Sequence, residues 1–455
     1  MTTLAAAWTG HDTRLISATV IAIAVIVVLI TKFKLHAFLA LILGSGVLGL
    51  IAGMPVDQLL KSFSSGVGST VASVGVLIAL GAMLGKLLAD SGGAEQIVDT
   101  IISRAGKRAL PWAMALVAGL VGLPMFFEIG LVLLIPIVLL VVKRTRQPLM
   151  LVGIPALAGL SVLHGLVPPH PGPLAAAGAL NANVGIVLAF GLLVAIPTVI
   201  IAGPLFAKIA ARWVPDAVAP ERLVPERAEE ERRHRPSFAA TLITVLLPVV
   251  MMLAKALSDI LAHSGTPTRR VLDFIGDPLV ALLVAVIVGM FTLGRAAGFT
   301  RDKLTATVSA SLGPIAGIML IVGAGGGFKQ TLVDAGVGKV ITQLATGASF
   351  PALLLGWLVA VAIRLATGSA TVATVSAAGI VGPLAATMSP THAALLVLAV
   401  GAGSLFFSHV NDAGFWLVKE YFGLSVGQTI RSWSVMETII SVVAIAIILP
   451  LGALV

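Results

Sequence analysis

Cysteine is absent from all 455 residues, which excludes disulfides, thiolate metal sites and cysteine nucleophiles. Charge is scarce as well. Asp, Glu, Lys and Arg make up 11% of the chain against 58% hydrophobic residues, and the mean hydropathy is +1.08. That leaves too little polar side chain to cover a soluble globule of this length, so the composition is that of a multi-pass membrane protein in contact with the lipid bilayer. The net charge of +9 does not point to nucleic acid, because its Lys and Arg residues sit in short clusters between apolar stretches, as cytoplasmic loops do. Residues 1–14 lack a basic leader, and the apolar stretch 15–30 is too long for a signal-peptide core and has no clear cleavage site; it reads as a retained first span. No His-Glu-x-x-His occurs, His409 and Asp412 lack a third ligand, and Ser369 sits in Gly-Ser-Ala rather than the Gly-x-Ser-Gly expected of an intramembrane protease. Neither an enzyme nor a metal or cofactor site is expected, and an intramembrane hydrolase stays as a remote alternative.

What the chain has instead is a polar interruption that occurs twice inside long apolar segments. The first is His164-Gly165-Leu166-Val167-Pro168-Pro169-His170-Pro171-Gly172-Pro173, and the second is Ser408-His409-Val410-Asn411-Asp412-Ala413-Gly414. One offset of about 245 residues lays His164 on His409 and Trp112 on Trp357, which suggests a duplication. A broken helix in each half of a duplicated apolar chain points to a secondary transporter with its site between the repeats.

About 20 apolar residues are needed to cross the hydrocarbon. Full spans fit at about 15–31, 35–53, 70–89, 184–206, 238–262, 278–294, 304–322 and 433–454. The segments 149–180 and 391–421 carry the interruptions and read as discontinuous helices. Two more stretches, 110–142 and 350–388, break near Leu123-Pro124-Met125-Phe126-Phe127-Glu128 and Ala366-Thr367-Gly368-Ser369-Ala370-Thr371. Their arms, at about 13 to 18 residues, are short for a crossing and suit re-entrant hairpins. The expected fold is all-α with two inverted-topology repeats: residues 1–206, a polar cytoplasmic linker at 207–237, and residues 238–455. Positive clusters at Lys32 and Lys34, Arg104 to Arg108, Lys143 to Arg146, the linker, and Arg295 to Lys303 fall on one side, placing both termini outside the cytoplasm. Residues 90–104 and 329–344, with helical apolar spacing beside charge, read as interfacial amphipathic helices.

The chemistry has to come from polar groups at membrane depth. Glu128 stands in an apolar hairpin with no Lys or Arg within a turn, and either carries a proton or serves the substrate site, or caps a helix N-terminus. Thr367, Gly368, Ser369 and Thr371 bring hydroxyls and a small residue into one turn, where backbone amides can approach a carboxylate; small-residue helix packing is the other reading. Arg364 either pairs with the substrate, Glu128 or Asp412, or snorkels to the interface. His164 and His170 flank the proline-broken segment, while Ser408, His409, Asn411 and Asp412 suit a polyhydroxylated solute, with Asp412 and His409 able to titrate.

The strings around Glu128, His164 to Pro173, Ala366 to Thr371 and Ser408 to Trp416 closely resemble the gluconate:proton symporter (gluconate permease) family, and the resemblance covers essentially the whole chain. It implies a proton-coupled symporter that takes up gluconate or a related sugar acid, a small organic anion, across the bacterial inner membrane. It also implies membership of a wider ion-transporter group, with an elevator-like motion and a homodimer. Some relatives handle other hydroxylated acids, including D-serine, and a sodium-coupled or dicarboxylate carrier would share the architecture.

Overall fold

The computed structural model describes residues 9–124, 127–217, 235–261, 266–337, 340, 351–410 and 412–455, and among them every regular element is helical. Eight helices among the described residues are long and apolar enough to cross a membrane. In the first half these elements are α1 (Gly10–Thr31), α2 (Ala37–Ala52), α3 (Val56–Thr70), α4 (Val76–Asp90), α5 (Gly93–Arg104), α6 (Leu110–Gly122), α7 (Phe127–Thr145), α8 (Leu149–Leu166), α9 (Pro171–Leu180), α10 (Val184–Ile200) and α11 (Phe206–Trp213). The second half holds α12 (Phe238–Leu261), α13 (Pro267–Ile275), α14 (Pro278–Gly289), α15 (Arg301–Ala310), α16 (Ala316–Asp334), α17 (Ala352–Thr367), α18 (Ala370–Ala385), α19 (Pro390–Ser404), α20 (Ala413–Tyr421), α21 (Val426–Thr429) and α22 (Val435–Leu454). Turns of π-helix at Val71–Gly75, Ile201–Leu205, Met290–Arg295 and Ile430–Ser434 join consecutive helices without ending them.

Several helices therefore run past the expected spans. Helix continues from Val56 through the π-turn to Asp90, with Asp57, Gln58, Lys61, Ser64 and Ser65 of α3 exposed while Leu59, Ser62 and Gly66 are buried on the opposite side. The helix from Val184 continues to Trp213, and that from Arg301 reaches Asp334. Lys329 thus belongs to the end of α16, and residues 338, 339 and 341–344 of that expected helix lie outside the described residues. α5 does form, with Ala94, Ile97 and Val98 buried. Most of the polar linker, 218–234, also lies outside the described residues; its far end is held where Arg235 pairs with Asp99 at 2.9 Å.

Both broken helices lie at the centre of the molecule. In the most apolar window of Leu149–Leu180 89% of the residues are buried, against 28% in that of Gly10–Ile30, so the first interruption lies in a segment enclosed by protein. Its helix stops at Leu166, turns extended at Val167 and restarts at Pro171, where proline at N1 costs no hydrogen bond. α19 is buried from Ala393 to Ser404, and its continuation α20 starts only at Ala413. α8 and α19 cross where Gly165 and Gly401 meet: a methyl built on Gly401 would fall on the Gly165 carbonyl oxygen. Unpaired backbone at this depth is tolerable because protein surrounds it.

A short arm packs on each broken helix through small residues. Gly159 of α8 lies against Ala115 and Ala118 of α6, and Gly403 of α19 lies against Trp357 and Ala360 of α17. At 1.5 Å per residue α6 is about 20 Å long and α17 about 24 Å, each short of a hydrocarbon core of about 30 Å. The tryptophans that mark the offset differ in setting: Trp357 donates to Ser441 at 3.0 Å, whereas Trp112 is exposed.

Candidate functional site

The turn between α17 and α18 is built by its own residues. Thr367 ends α17, Gly368 takes the left-handed conformation with φ 74°, and Ser369 is extended, its hydroxyl accepting from the Val372 amide at 3.3 Å. Only glycine adopts that φ without a Cβ penalty. The first-turn amides of Ala370 and Thr371 have no carbonyl within the helix to bond, so α18 presents donors and positive partial charge to whatever lies ahead of it.

Arg364, in the last turn of α17, is 4% exposed and spans the turn and the second break. Its Nη1 donates to the Gly368 carbonyl at 2.6 Å and its Nη2 to Asp412 Oδ2 at 2.5 Å. Among the described residues Arg364 pairs with Asp412, and it is buried rather than snorkelling to the interface. Asp412 is in turn the N-cap of α20, its Oδ1 accepting from the Gly414 amide at 2.9 Å. The Ser408 hydroxyl donates to Asp412 Oδ2, Trp433 Nε1 donates to Ser408 Oγ at 2.7 Å, and the Ser434 hydroxyl donates to the Ser408 carbonyl. Both donors come from the π-turn that precedes α22, tying the second break to that helix.

These groups wall a cavity of about 260 Å³. Arg364, Thr367, Gly368, Ser369, Thr371 and Asp412 line it together with His164 of α8. Ser408 acts from behind Asp412. His170, 3% exposed, lies outside the lining with its ring edge-on to His164 at 6.0 Å. His409 turns away and bonds the Leu365 carbonyl at 3.2 Å. Asn411 lies outside the described residues. Glu128 falls in the first turn of α7, next to the cavity-lining Phe127.

Several lining residues were not site candidates from the sequence, among them Phe127, Ser161, Trp433 and Glu437. Phe127 packs tilted against Trp433 at 5.6 Å, forming an apolar wall. Glu437, in the first turn of α22, is 1% exposed, and the Ser161 hydroxyl bonds its carboxyl. An acidic residue in an apolar span with no basic residue a turn away was the signal that singled out Glu128, and it applied equally to Glu437.

The walls combine one guanidinium, the Asp412 carboxylate and two helix N-termini, all near a rank of hydroxyls: the recognition groups for a small, hydroxylated anion, with the Glu437 carboxyl beside them. No cluster of three His, Asp or Glu able to hold a metal occurs among the described residues.

Known proteins give this arrangement a family. The chain is 52% identical over 443 residues to a gluconate permease of Pseudomonas aeruginosa, covering 97% of this chain and 98% of that one. It is 45% identical to a high-affinity gluconate transporter of Escherichia coli, at 93% and 96% coverage, and 44% identical to the Gnt-II system L-idonate transporter of the same organism, at 95% and 97%. Its fold is similar to that of the Alcanivorax borkumensis YdaH transporter, with TM-score 0.62 at 18% identity over 87% of this chain and 88% of that one. Neisseria gonorrhoeae MtrF is similar to the same degree, with TM-score 0.62 at 15% identity over 86% and 84%. The GntP family permease profile matches residues 14–455, and the chain belongs to that family of membrane permeases.

Proposed function

We propose that the chain is a proton-coupled symporter that imports gluconate or a closely related sugar acid across the bacterial inner membrane. The observation that carries this reading is the cavity at the α17–α18 turn, where helix-end amides, the Ser369 and Thr371 hydroxyls and the Arg364–Asp412 pair converge. Relatives named for gluconate and L-idonate support the substrate class. The substrate carboxylate sits at the N-terminal turn of α18, and its hydroxyls bond His164 and the residues around Asp412, with Asn411 completing the set. A carboxyl group beside the site carries the proton that offsets the cost of moving an anion toward a negative interior.

The two breaks, each preceded by a helix pair in which α6, α17 and α18 are short for a crossing while α7, at 19 residues, is longer than the expected arm, support two inverted repeats with re-entrant hairpins, α6–α7 and α17–α18, and both termini outside the cytoplasm. Movement of the hairpin-bearing bundle past a scaffold of the other spans, in a homodimer, provides alternating access.

Uptake into proteoliposomes tests this. Under an inward-acid pH gradient without sodium, labelled gluconate should accumulate, with L-idonate competing and D-serine serving as the outlying member of the panel. Accumulation of none of them sinks the transport reading, and accumulation that needs a sodium gradient sinks proton coupling. Thr371→Val, which removes a hydroxyl and keeps the shape, is expected to raise the half-saturating gluconate concentration roughly tenfold. An unchanged value would remove Thr371 from the binding set.

A further inference from the structure

Asp412 is fully engaged: Arg364, Ser408 and the Gly414 amide all bond its two oxygens. Glu437 is placed differently. It lines the same cavity, it is 1% exposed, and its Oε1 is buried with no hydrogen-bond partner. The Ser161 hydroxyl, which bonds its carboxyl, can donate to an ionised carboxyl or accept from a protonated one. The π-turn Ile430–Ser434 immediately before α22 sets this register, with Trp433 and Ser434 on Ser408 and Glu437 on the cavity. Such turns inside helices are frequent at functional sites.

The charged and titratable groups around Glu437 are few. α17 supplies Arg364, the connection before α20 supplies Asp412, and α8 supplies His164. α10 carries no titratable residue, Arg431 of the π-turn is exposed, and His392 of α19 is occupied at the far end of α22 by the Gly452 carbonyl, at 3.0 Å.

We propose that Glu437 is the residue on which the coupling proton travels with the anion. The inference rests on the symport reading and adds its proton-carrying atom. With Arg364 already matched by Asp412, an anion that enters beside an ionised Glu437 meets an uncompensated like charge in a medium of low dielectric. A proton on Glu437 removes that repulsion. Linkage is reciprocal, so the bound anion strengthens proton binding by the same factor as the proton strengthens anion binding. Among the described residues Glu437 has no ion pair of its own, and the nearby Arg364 is engaged by Asp412. When the cavity opens inward and the anion leaves, the linkage reverses and the proton follows.

Glu437→Gln separates coupling from binding. The wild-type chain in proteoliposomes should concentrate labelled gluconate under an inward-acid gradient, and the variant should lose at least roughly tenfold of that accumulation. It should still exchange external label for preloaded gluconate, since the amide mimics the protonated acid. Full pH-driven accumulation in the variant overturns the assignment. So does a folded, monodisperse variant that has lost exchange along with accumulation, because Glu437 would then be a binding residue. Should the glutamine variant fail to fold, Ser161→Ala carries the test: removal of the Ser161 hydroxyl from the carboxyl should shift the pH profile of accumulation, and a wild-type profile overturns the proposal. Failure of the wild-type chain to accumulate any sugar acid is a separate result that removes the symport reading itself.

Discussion

Replacing Arg364 with alanine is expected to abolish uptake and to destabilise the protein by about 3–5 kcal/mol, the usual cost of stripping one partner from a buried ion pair. The guanidinium is 4% exposed and holds two groups that the chain places far apart, the Gly368 carbonyl and Asp412. Without it Asp412 stays buried with a charge and no cation, and the left-handed turn loses its tie to the second break. Lysine should not rescue, because a single ammonium cannot reproduce the fork that reaches both acceptors. The decisive variant is Arg364→Met with Asp412→Leu. Removal of both charges should recover much of the thermal stability lost by either single change, as apolar replacements of buried pairs often do, while leaving uptake absent. If the double variant transports gluconate, the pair is a structural device only. If Arg364→Ala keeps wild-type melting and uptake, the geometry of the site has been misjudged.

Gly401→Ala is expected to cost about 3 kcal/mol, at the upper end for overpacking. The added methyl falls on the Gly165 carbonyl oxygen, which is backbone and cannot swing aside. Relief requires α8 and α19 to separate at their crossing, moving His164, the residue beside Gly165, away from the cavity. Uptake and melting should therefore fall together. Gly46→Ala in α2 is the matched control: nothing lies within 4 Å of its added methyl, so a gain of about 0.5–1 kcal/mol from helix propensity is expected. Equal melting temperatures for the two variants would show that the crossing is loose. In lipid, where apolar surface gains little by leaving its surroundings, such close backbone contacts carry much of what holds helices together.

Much of this was readable in the chain because breaks in a membrane helix have local causes. Prolines 168, 169, 171 and 173 forbid a continuous helix, and Thr367 to Thr371 spell a helix end, a left-handed glycine and a new cap in consecutive residues. The structure ends α17 at Thr367 and restarts helix at Ala370, and it ends α8 at Leu166 and restarts helix at Pro171. What the sequence withheld is register between distant segments. That Arg364 faces Asp412, and not the interface, depends on how α17 meets the α19–α20 connection. That His409 looks away and His164 looks in depends on which face of each segment packs. Glu437 went unnoticed because it stands near the start of a span, where an acid ordinarily reaches water; its near-complete burial follows from the packing of α22 against α8. The start of α3 was missed for a simpler reason: its polar residues imitate a loop until helical periodicity places them on one side.

The bonds from Trp433 and Ser434 to Ser408 have a mechanical consequence. A gap in a helix can be a spring that winds and unwinds as cargo passes, or it can be a rivet. Here two donors from a neighbouring helix grip the gap, and Asp412 is clamped from the other side by Arg364. Closing the gap into regular helix would forfeit all of these bonds at once. The binding pocket is therefore expected to travel as one piece, its recognition groups fixed relative to one another, and the work of changing sides falls to the surfaces around it.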